Sequence, residues 1–188
     1  SRAVENEILA SKICRCFDCR QVLYEESMFD GQKVSKSRII TSVDYSMVSM
    51  EAFEIYAANH DIHVMDFVLK LDAYTYYMMN LLDYLIGNTD RHWGNWGFLV
   101  DNRTNQPVRL FDLMDLNQTF LAYDTPDGAN CMTTGNRKMS QREAAVEAVK
   151  KIGLNQRAEI KDEWFKGREK EREMFWCRFG ILKEQWKA

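Results

Sequence analysis

The sequence is poor in the residues that mark linkers, fibres and membrane spans. Its 188 residues include two prolines and nine glycines, which argues against a linker or a fibrous repeat. No apolar run approaches the ~20 residues that a membrane-spanning helix needs. Hydrophobic residues make up 46% and charged residues 28%, which also excludes a wholly disordered chain. These values predict a globular protein of one domain, or of one domain with an appendage.

An excess of positive charge is also missing. The formal net charge is −3 and the pI about 5.7, so direct nucleic-acid binding is not expected, although a local basic patch stays possible.

The five cysteines are an odd number, and no segment has the pattern of a signal peptide. The cluster Cys14-x-Cys16-x2-Cys19 lacks the second pair of ligands that would complete a zinc site. We therefore expect free thiols, no membrane partner and a cytoplasmic location.

Helical patterning dominates the chain. Apolar residues at three- and four-residue steps predict a long buried helix over residues 64–87, ended by Gly87. Further helices are predicted over 5–16, over 140–152 from a Ser140–Glu143 capping box, after Asn155, and in the aromatic-rich tail 161–188. Short strands are predicted over 21–25, 38–41, 96–100 and 108–113, the last two as a hairpin, and a loop over 124–139. The fold class is α+β, predominantly α-helical.

One loop and the hairpin after it carry the residues that could do chemistry. The loop Asp90-x-His92-x-x-Asn95 follows the long helix, and the hairpin returns to Phe111-Asp112. Phosphoryl transfer from a nucleotide needs a carboxylate that orients the attacking hydroxyl, and oxygen ligands for Mg²⁺. Asp90 could orient the hydroxyl, while Asn95 and Asp112 could hold the metal. Taken singly, each residue fits a turn or a strand end equally well, so the prediction depends on the whole set.

This pattern resembles the catalytic lobe of the HipA-like serine/threonine kinases, a protein-kinase-like lobe with a small β-hairpin. The similarity is tightest over residues 82–98, where a long helix ends and a catalytic loop begins. By this resemblance Asp90 matches the catalytic aspartate and Asn95 the metal-binding asparagine. Asp112 matches the metal-binding aspartate, with Asp115 left open as an alternative.

Two further residues enter through the same resemblance. The segment Glu5-Asn6-Glu7 is similar to a small-lobe helix of the family, in which Glu7 would be the acidic partner of an ATP-contacting lysine. His92 is expected to support the loop, because aspartate suits the role of base in this chemistry. On this interpretation residues 1–188 form one catalytic lobe, with 1–45 as a remnant of the small lobe and 140–188 as a helical tail.

The resemblance implies cofactors and partners. It implies ATP and Mg²⁺, a protein substrate with a serine or threonine acceptor, and an antitoxin-like partner of a toxin-like kinase. The chain departs from the family because no glycine-rich phosphate-covering loop is found, and Lys12, Lys33 and Lys36 lack a convincing strand setting. The nucleotide-binding lobe then lies elsewhere in a longer protein or in a separate small-lobe protein, or the chain is a shortened relative.

Two other functions stay open. A non-catalytic interaction module would keep the kinase-like lobe as a scaffold and bind a partner through the aromatic tail. Metal-dependent ATP binding would separate this module from a kinase. A metal-dependent hydrolase would combine His60 and His63 with His92, Asp90 and Asp112, and bound zinc would favour it.

Overall fold

The computed structural model describes residues 1–121, 125–135 and 137–188. Within these residues lie five α-helices, two small antiparallel sheets and one short 3₁₀ helix. Their order is α1 (Arg2–Cys14), β1 (Glu25–Phe29), β2 (Gln32–Lys36), β3 (Tyr45–Ser49), α2 (Met50–Asn59), α3 (Val64–Ile86), β4 (Gly97–Asp101), β5 (Gln106–Leu110), α4 (Gln141–Ile152), the 3₁₀ helix Asp162–Phe165 and α5 (Glu169–Lys187). The predicted fold class, mixed and mainly helical, is confirmed.

Helix α3 is the centre of the molecule, and its predicted position is confirmed. Its second half is buried almost without interruption, and α4 and α5 pack against it. Gly87 ends the helix with the left-handed dihedral angles φ 59° and ψ 42°, which glycine adopts without steric cost. Asp72 interrupts the helical geometry, and its carboxylate accepts the backbone N–H of Leu110 at 3.0 Å. This hydrogen bond therefore links α3 to β5 at the interruption.

The three-stranded sheet has the order β3-β4-β5, with both pairs antiparallel. The hairpin of β4 and β5 confirms the two strands predicted there, with ends shifted by a few residues. Strand β3 and helix α2 were not predicted. The second sheet contains β1 and β2, which pair from Glu25↔Lys36 to Phe29↔Gln32.

Three predicted elements are wrong. Residues 21–25 form only a single parallel bridge, Gln21↔Leu113, before β1 begins. Residues 38–41 form no strand, and Ile39 is 88% exposed. No helix begins at Asn155, because residues 155–161 are not helical and the Asn155 side-chain amide donates to the carbonyls of Ile152 and Gly153 at the end of α4.

The C-terminal part belongs to the same core. The predicted capping box of Ser140 and Glu143 is present at the start of α4. In α5, Phe175 stacks on Phe179 with ring centroids 5.7 Å apart, and Arg178 donates to the carbonyl of Tyr84 at 2.7 Å. The predicted final helix is therefore confirmed.

Residues 125–135 and 137–139 contain no helix or strand beyond one isolated bridge, while Asp124 and Asn136 of the predicted loop lie outside the described residues. Among the helices described, none has both the length and the apolarity to cross a bilayer.

Candidate active site

The loop after α3 is held by a buried charge pair that the sequence analysis did not identify. Arg91 donates to both carboxylate oxygens of Asp83, from Nε at 2.9 Å and from Nη2 at 3.0 Å. Asn88 donates to the same carboxylate at 3.0 Å. All three side chains are buried. Burial lowers the pKa of Arg91, but the charge and hydrogen bonds of Asp83, together with other nearby groups such as Asp115, raise it above the ordinary value, so the guanidinium keeps its charge inside the protein.

Arg91 also joins the loop to the segment that follows β5. Its Nη1 donates to the carbonyl of Asn95 at 3.0 Å and to the carbonyl of Met114 at 2.6 Å. The pairing of β4 with β5 continues through the Phe111 N–H, which donates to the Gly97 carbonyl at 2.8 Å. Asp112 and Asn95 therefore lie at the same end of this strand pair.

Asp90 has a fixed backbone and an accessible carboxylate. Its N–H donates to the Asn88 side chain at 3.1 Å, and its carbonyl accepts a hydrogen bond from the Asn95 side chain. The Asp90 side chain is 44% exposed. A carboxylate in this position can accept a hydrogen bond from an incoming hydroxyl group.

His92 contacts the loop itself. Its Nδ1 accepts the backbone N–H of Gly94 at 3.0 Å, and its Nε2 lies 4.0 Å from a carboxylate oxygen of Asp90. The arrangement is compatible with the predicted supporting role, which stays a prediction.

Asn95 carries the feature most suggestive of a metal ligand. Its side chain is buried, and its Oδ1 has no hydrogen-bond partner within the part of the chain that the structure describes. Buried polar atoms are nearly always paired, so this oxygen is available as an acceptor or ligand for a water molecule or a metal ion. An amide oxygen and the Asp112 carboxylate at one end of a strand pair are hard donors of the kind that Mg²⁺ prefers. The residues present therefore fit the metal that the resemblance implies.

Asp112 faces both a cation and a groove. Its carboxylate lies 2.7 Å from Nη1 of Arg109, and its side chain is only 14% exposed. It also lines a groove of about 490 Å³ together with Lys36, Arg38 and Ile40. The alternative ligand, Asp115, has a positive φ of 56° and donates its N–H to the Tyr24 hydroxyl at 3.0 Å.

Glu7 connects α1 to the segment after Asp112. Its buried carboxylate accepts hydrogen bonds from the Ser35 hydroxyl and from the backbone N–H of Leu116. Burial raises the pKa of the Glu7 carboxyl, and these hydrogen bonds oppose the rise. The structure thus links Glu7 to β2 and to the segment after Asp112, while its role in the site and its lysine partner stay predictions.

The histidines of the hydrolase hypothesis have local roles. His60 stacks on Tyr56 and contacts its carbonyl at 2.7 Å. His63 accepts the Asp66 N–H at the start of α3. Across residues 1–121, 125–135 and 137–188, no three His, Cys, Asp or Glu side chains are grouped to hold a metal ion, and all five cysteines are free. The hydrolase hypothesis gains no support from this geometry.

Sequence reasoning missed two residues of the site, Asp83 and Arg109. A signal existed for Asp83, because it interrupts the buried apolar stretch from Leu81 to Ile86. A carboxylate on such a face is rarely buried without a partner. For Arg109 the sequence holds no comparable signal, since arginines are common on exposed strand faces.

Comparisons with known proteins support the fold. No family model matches the sequence, and no curated protein does either. Among solved structures, the fold is similar to that of the Helicobacter pylori proinflammatory kinase CtkA, with a TM-score of 0.67 and 13% sequence identity. The similarity covers 99% of this chain and 80% of that chain. The chain therefore has a kinase-like fold.

Proposed function

We propose that this chain is the catalytic lobe of a protein kinase that transfers the γ-phosphoryl group of ATP to a serine or threonine hydroxyl. One observation carries the proposal: the accessible Asp90 carboxylate shares a loop with Asn95, whose buried Oδ1 has no partner among the described residues and which lies at the same end of the β4–β5 pair as Asp112. The kinase-like fold of the whole chain supports it.

Each residue has a distinct role in this proposal. Asp90 accepts a hydrogen bond from the acceptor hydroxyl and orients its oxygen for attack. Asn95 and Asp112 would hold Mg²⁺ through Oδ1 and the carboxylate. When bound, Mg²⁺ supplies neutralisation of the charge on the phosphate oxygens. The Asp83–Arg91 pair keeps the two halves of this set in position.

The groove beside Asp112 is the proposed place for the nucleotide. Its volume of about 490 Å³ lies in the ordinary range for ligand sites. Leu23 and Ile40 offer apolar surface for a base, while Lys36 and Arg38 offer positive charge for phosphates. In this proposal, Glu7 would pair with a lysine of an added lobe.

A further lobe is part of the proposal. Sheet β1–β2 has only two strands, which are marginally stable alone. Phe29 at the end of β1, and Ile39 and Val43 in the segment between β2 and β3, are 75%, 88% and 93% exposed. We propose that a nucleotide-binding small lobe covers these residues, either from a longer form of the chain or from a separate protein. An antitoxin-like partner and a cytoplasmic location belong to the same proposal.

The Asp90→Asn variant tests the catalytic role. Asparagine keeps the size of the side chain but cannot act as a base, so we expect phosphoryl transfer from [γ-³²P]ATP to fall roughly 100-fold or more. Phosphoamino-acid analysis identifies the acceptor, and calorimetry should show unchanged ATP binding. Arg103→Gln, at the exposed tip of the β4–β5 hairpin, is the control. Transfer at the wild-type rate by Asp90→Asn would rule out the role.

One observation favours the alternative of a non-catalytic module. The Asp112 carboxylate already has a cationic partner, Arg109, inside the chain. A carboxylate that is permanently neutralised in this way would have no need of a metal. The two functions differ in Mg²⁺-dependent ATP binding, which a scaffold would lack.

A further inference from the structure

We propose that Arg109 is a built-in competitor of the divalent metal for Asp112, so that metal alone binds weakly and metal with a triphosphate binds well. The inference rests on the proposed function, because it concerns the same metal site. It adds a residue to which neither the sequence pattern nor the family resemblance gives a role.

The contact between the two side chains is close and sheltered. Nη1 of Arg109 lies 2.7 Å from Oδ1 of Asp112 and donates to the carbonyl of Leu110 at 2.8 Å. The Arg109 and Asp112 side chains are 23% and 14% exposed. Charge-assisted hydrogen bonds of this length are strong, and limited solvent access weakens screening. The guanidinium is therefore a persistent partner of the carboxylate rather than a passing surface contact.

Binding of a metal ion at Asp112 costs free energy while Arg109 occupies this position. A divalent cation bound at Asp112 would lie close to a fixed positive charge, and like charges at short range repel. Binding must therefore break the Arg109–Asp112 hydrogen bond or accept the repulsion. A nucleotide changes this balance, because its phosphates bring negative charge that can replace Asp112 as the partner of Arg109. Binding of metal and nucleotide then becomes mutually dependent.

The same hairpin provides a matched control. Arg103 pairs with Asp101 at 3.3 Å, but Arg103 is 70% exposed and lies at the other end of β4 and β5. Exposed pairs of this kind contribute little. Removing the Arg103 charge changes the net charge of the protein by the same amount as removing the Arg109 charge, without touching Asp112.

The experiment measures Mn²⁺ binding by electron paramagnetic resonance, without nucleotide and with a non-hydrolysable ATP analogue. We expect Arg109→Gln to bind Mn²⁺ alone roughly five- to tenfold more tightly than the wild type. Adding the ATP analogue should raise the Mn²⁺ affinity of this variant by a smaller factor than it raises that of the wild type. Arg109→Lys keeps the charge and should stay close to the wild type, as should Arg103→Gln. Adding Asp112→Asn to Arg109→Gln should remove the gain. Thermal unfolding without metal shows whether each variant is folded.

The outcomes separate this inference from the proposed function. Unchanged or weaker Mn²⁺ binding by Arg109→Gln overturns the competition, even if ATP binding depends on Mg²⁺ and Asp112. Tighter Mn²⁺ binding by Arg109→Gln supports the competition, even if no ATP binding is found and the kinase function fails. If Arg109→Gln does not fold, Mn²⁺ binding by Arg109→Lys decides. This variant keeps the positive charge, so a five- to tenfold gain in its Mn²⁺ affinity would contradict the competition.

Discussion

At the scale of single residues, the site depends on charged groups placed where solvent hardly reaches. Glu7 is 6% exposed, and its carboxylate lies between α1, β2 and the segment after Asp112. The Asp83–Arg91 pair is equally sheltered and holds the loop that carries Asp90. Such groups are costly to bury, and their hydrogen bonds repay only part of that cost.

The raised pKa of Glu7 predicts a pH dependence of stability. Burial favours the protonated form in the folded state, so its stabilising contribution is complete below the ordinary pKa of 4.5 and is lost as pH rises through the higher folded pKa. Glu7→Gln removes the charge, as protonation does, and keeps one oxygen as an acceptor. We expect its free energy of unfolding, from urea titrations between pH 4 and pH 8, to exceed that of the wild type increasingly above pH 4.5.

Glu5→Gln is the control for removing one carboxylate from the same helix, because Glu5 is exposed two positions earlier. If the wild type and Glu7→Gln lose stability in parallel across the whole range, the raised pKa of Glu7 is wrong.

Sequence patterns reach some of these residues but not others. The spacing of Asp90 and Asn95 is visible in one short loop, and the hairpin predicted after it brings Asp112 to the end of the strand pair at which Asn95 lies. The partners Asp83 and Arg91 are eight residues apart, on either side of a helix end, so no periodic pattern joins them. Arg109 becomes relevant only because the backbone after β5 brings Asp112 within hydrogen-bond distance of it.

At the scale of secondary-structure elements, the sequence signals for helix ends explain why α3 and α4 could be predicted. Helix α3 has a long apolar period and a glycine stop, and α4 has a capping box, so both were located almost to the residue. Strand β3 has intermediate burial along its whole length and lacks alternation. It forms because β4, about fifty residues later, offers a partner, and a local pattern cannot show this.

Gly97 tests the close contact between β3 and β4. A Cβ atom at this position would lie 2.0 Å from the Val48 carbonyl oxygen, which belongs to the backbone and cannot move aside cheaply. We expect Gly97→Ala to lower the free energy of unfolding by about 3 kcal/mol, the upper end of the usual cost of overpacking, measured by urea titration.

Gly180 is the matched control for the same chemical change. It lies inside α5, and nothing lies within 4 Å of the position that a Cβ atom would take, so alanine should raise stability by about 0.5–1 kcal/mol through helix propensity. A Gly97→Ala protein as stable as the wild type would show that β3 does not approach β4 as described.

At the scale of the whole molecule, helices from both ends of the chain share one core. Side chains of α1, α3, α4 and α5 belong to a single buried cluster, and Phe17 near α1 contacts Phe179 of α5. The aromatic tail is therefore part of the fold and not only a surface for partners. The division into a small-lobe remnant, residues 1–45, and a tail, residues 140–188, stays a prediction.

The kinase-like fold and the proposed chemistry depend on different features of the molecule. The likeness to a solved kinase concerns the backbone, while the proposed chemistry depends on the side chains of Asp90, Asn95 and Asp112. A measurement on the metal-binding half of the site therefore tests the proposed function even while the phosphoacceptor is unidentified.

That measurement is calorimetric titration of the chain with ATP, in Mg²⁺ and again in EDTA, repeated with Asp112→Asn. We expect binding that requires the metal and that weakens in the variant by more than the roughly 10- to 100-fold that losing an outer partner of a metal ligand costs. Arg103→Gln should bind as the wild type does. ATP binding of equal strength in EDTA, or by Asp112→Asn, would contradict the proposed metal and nucleotide site.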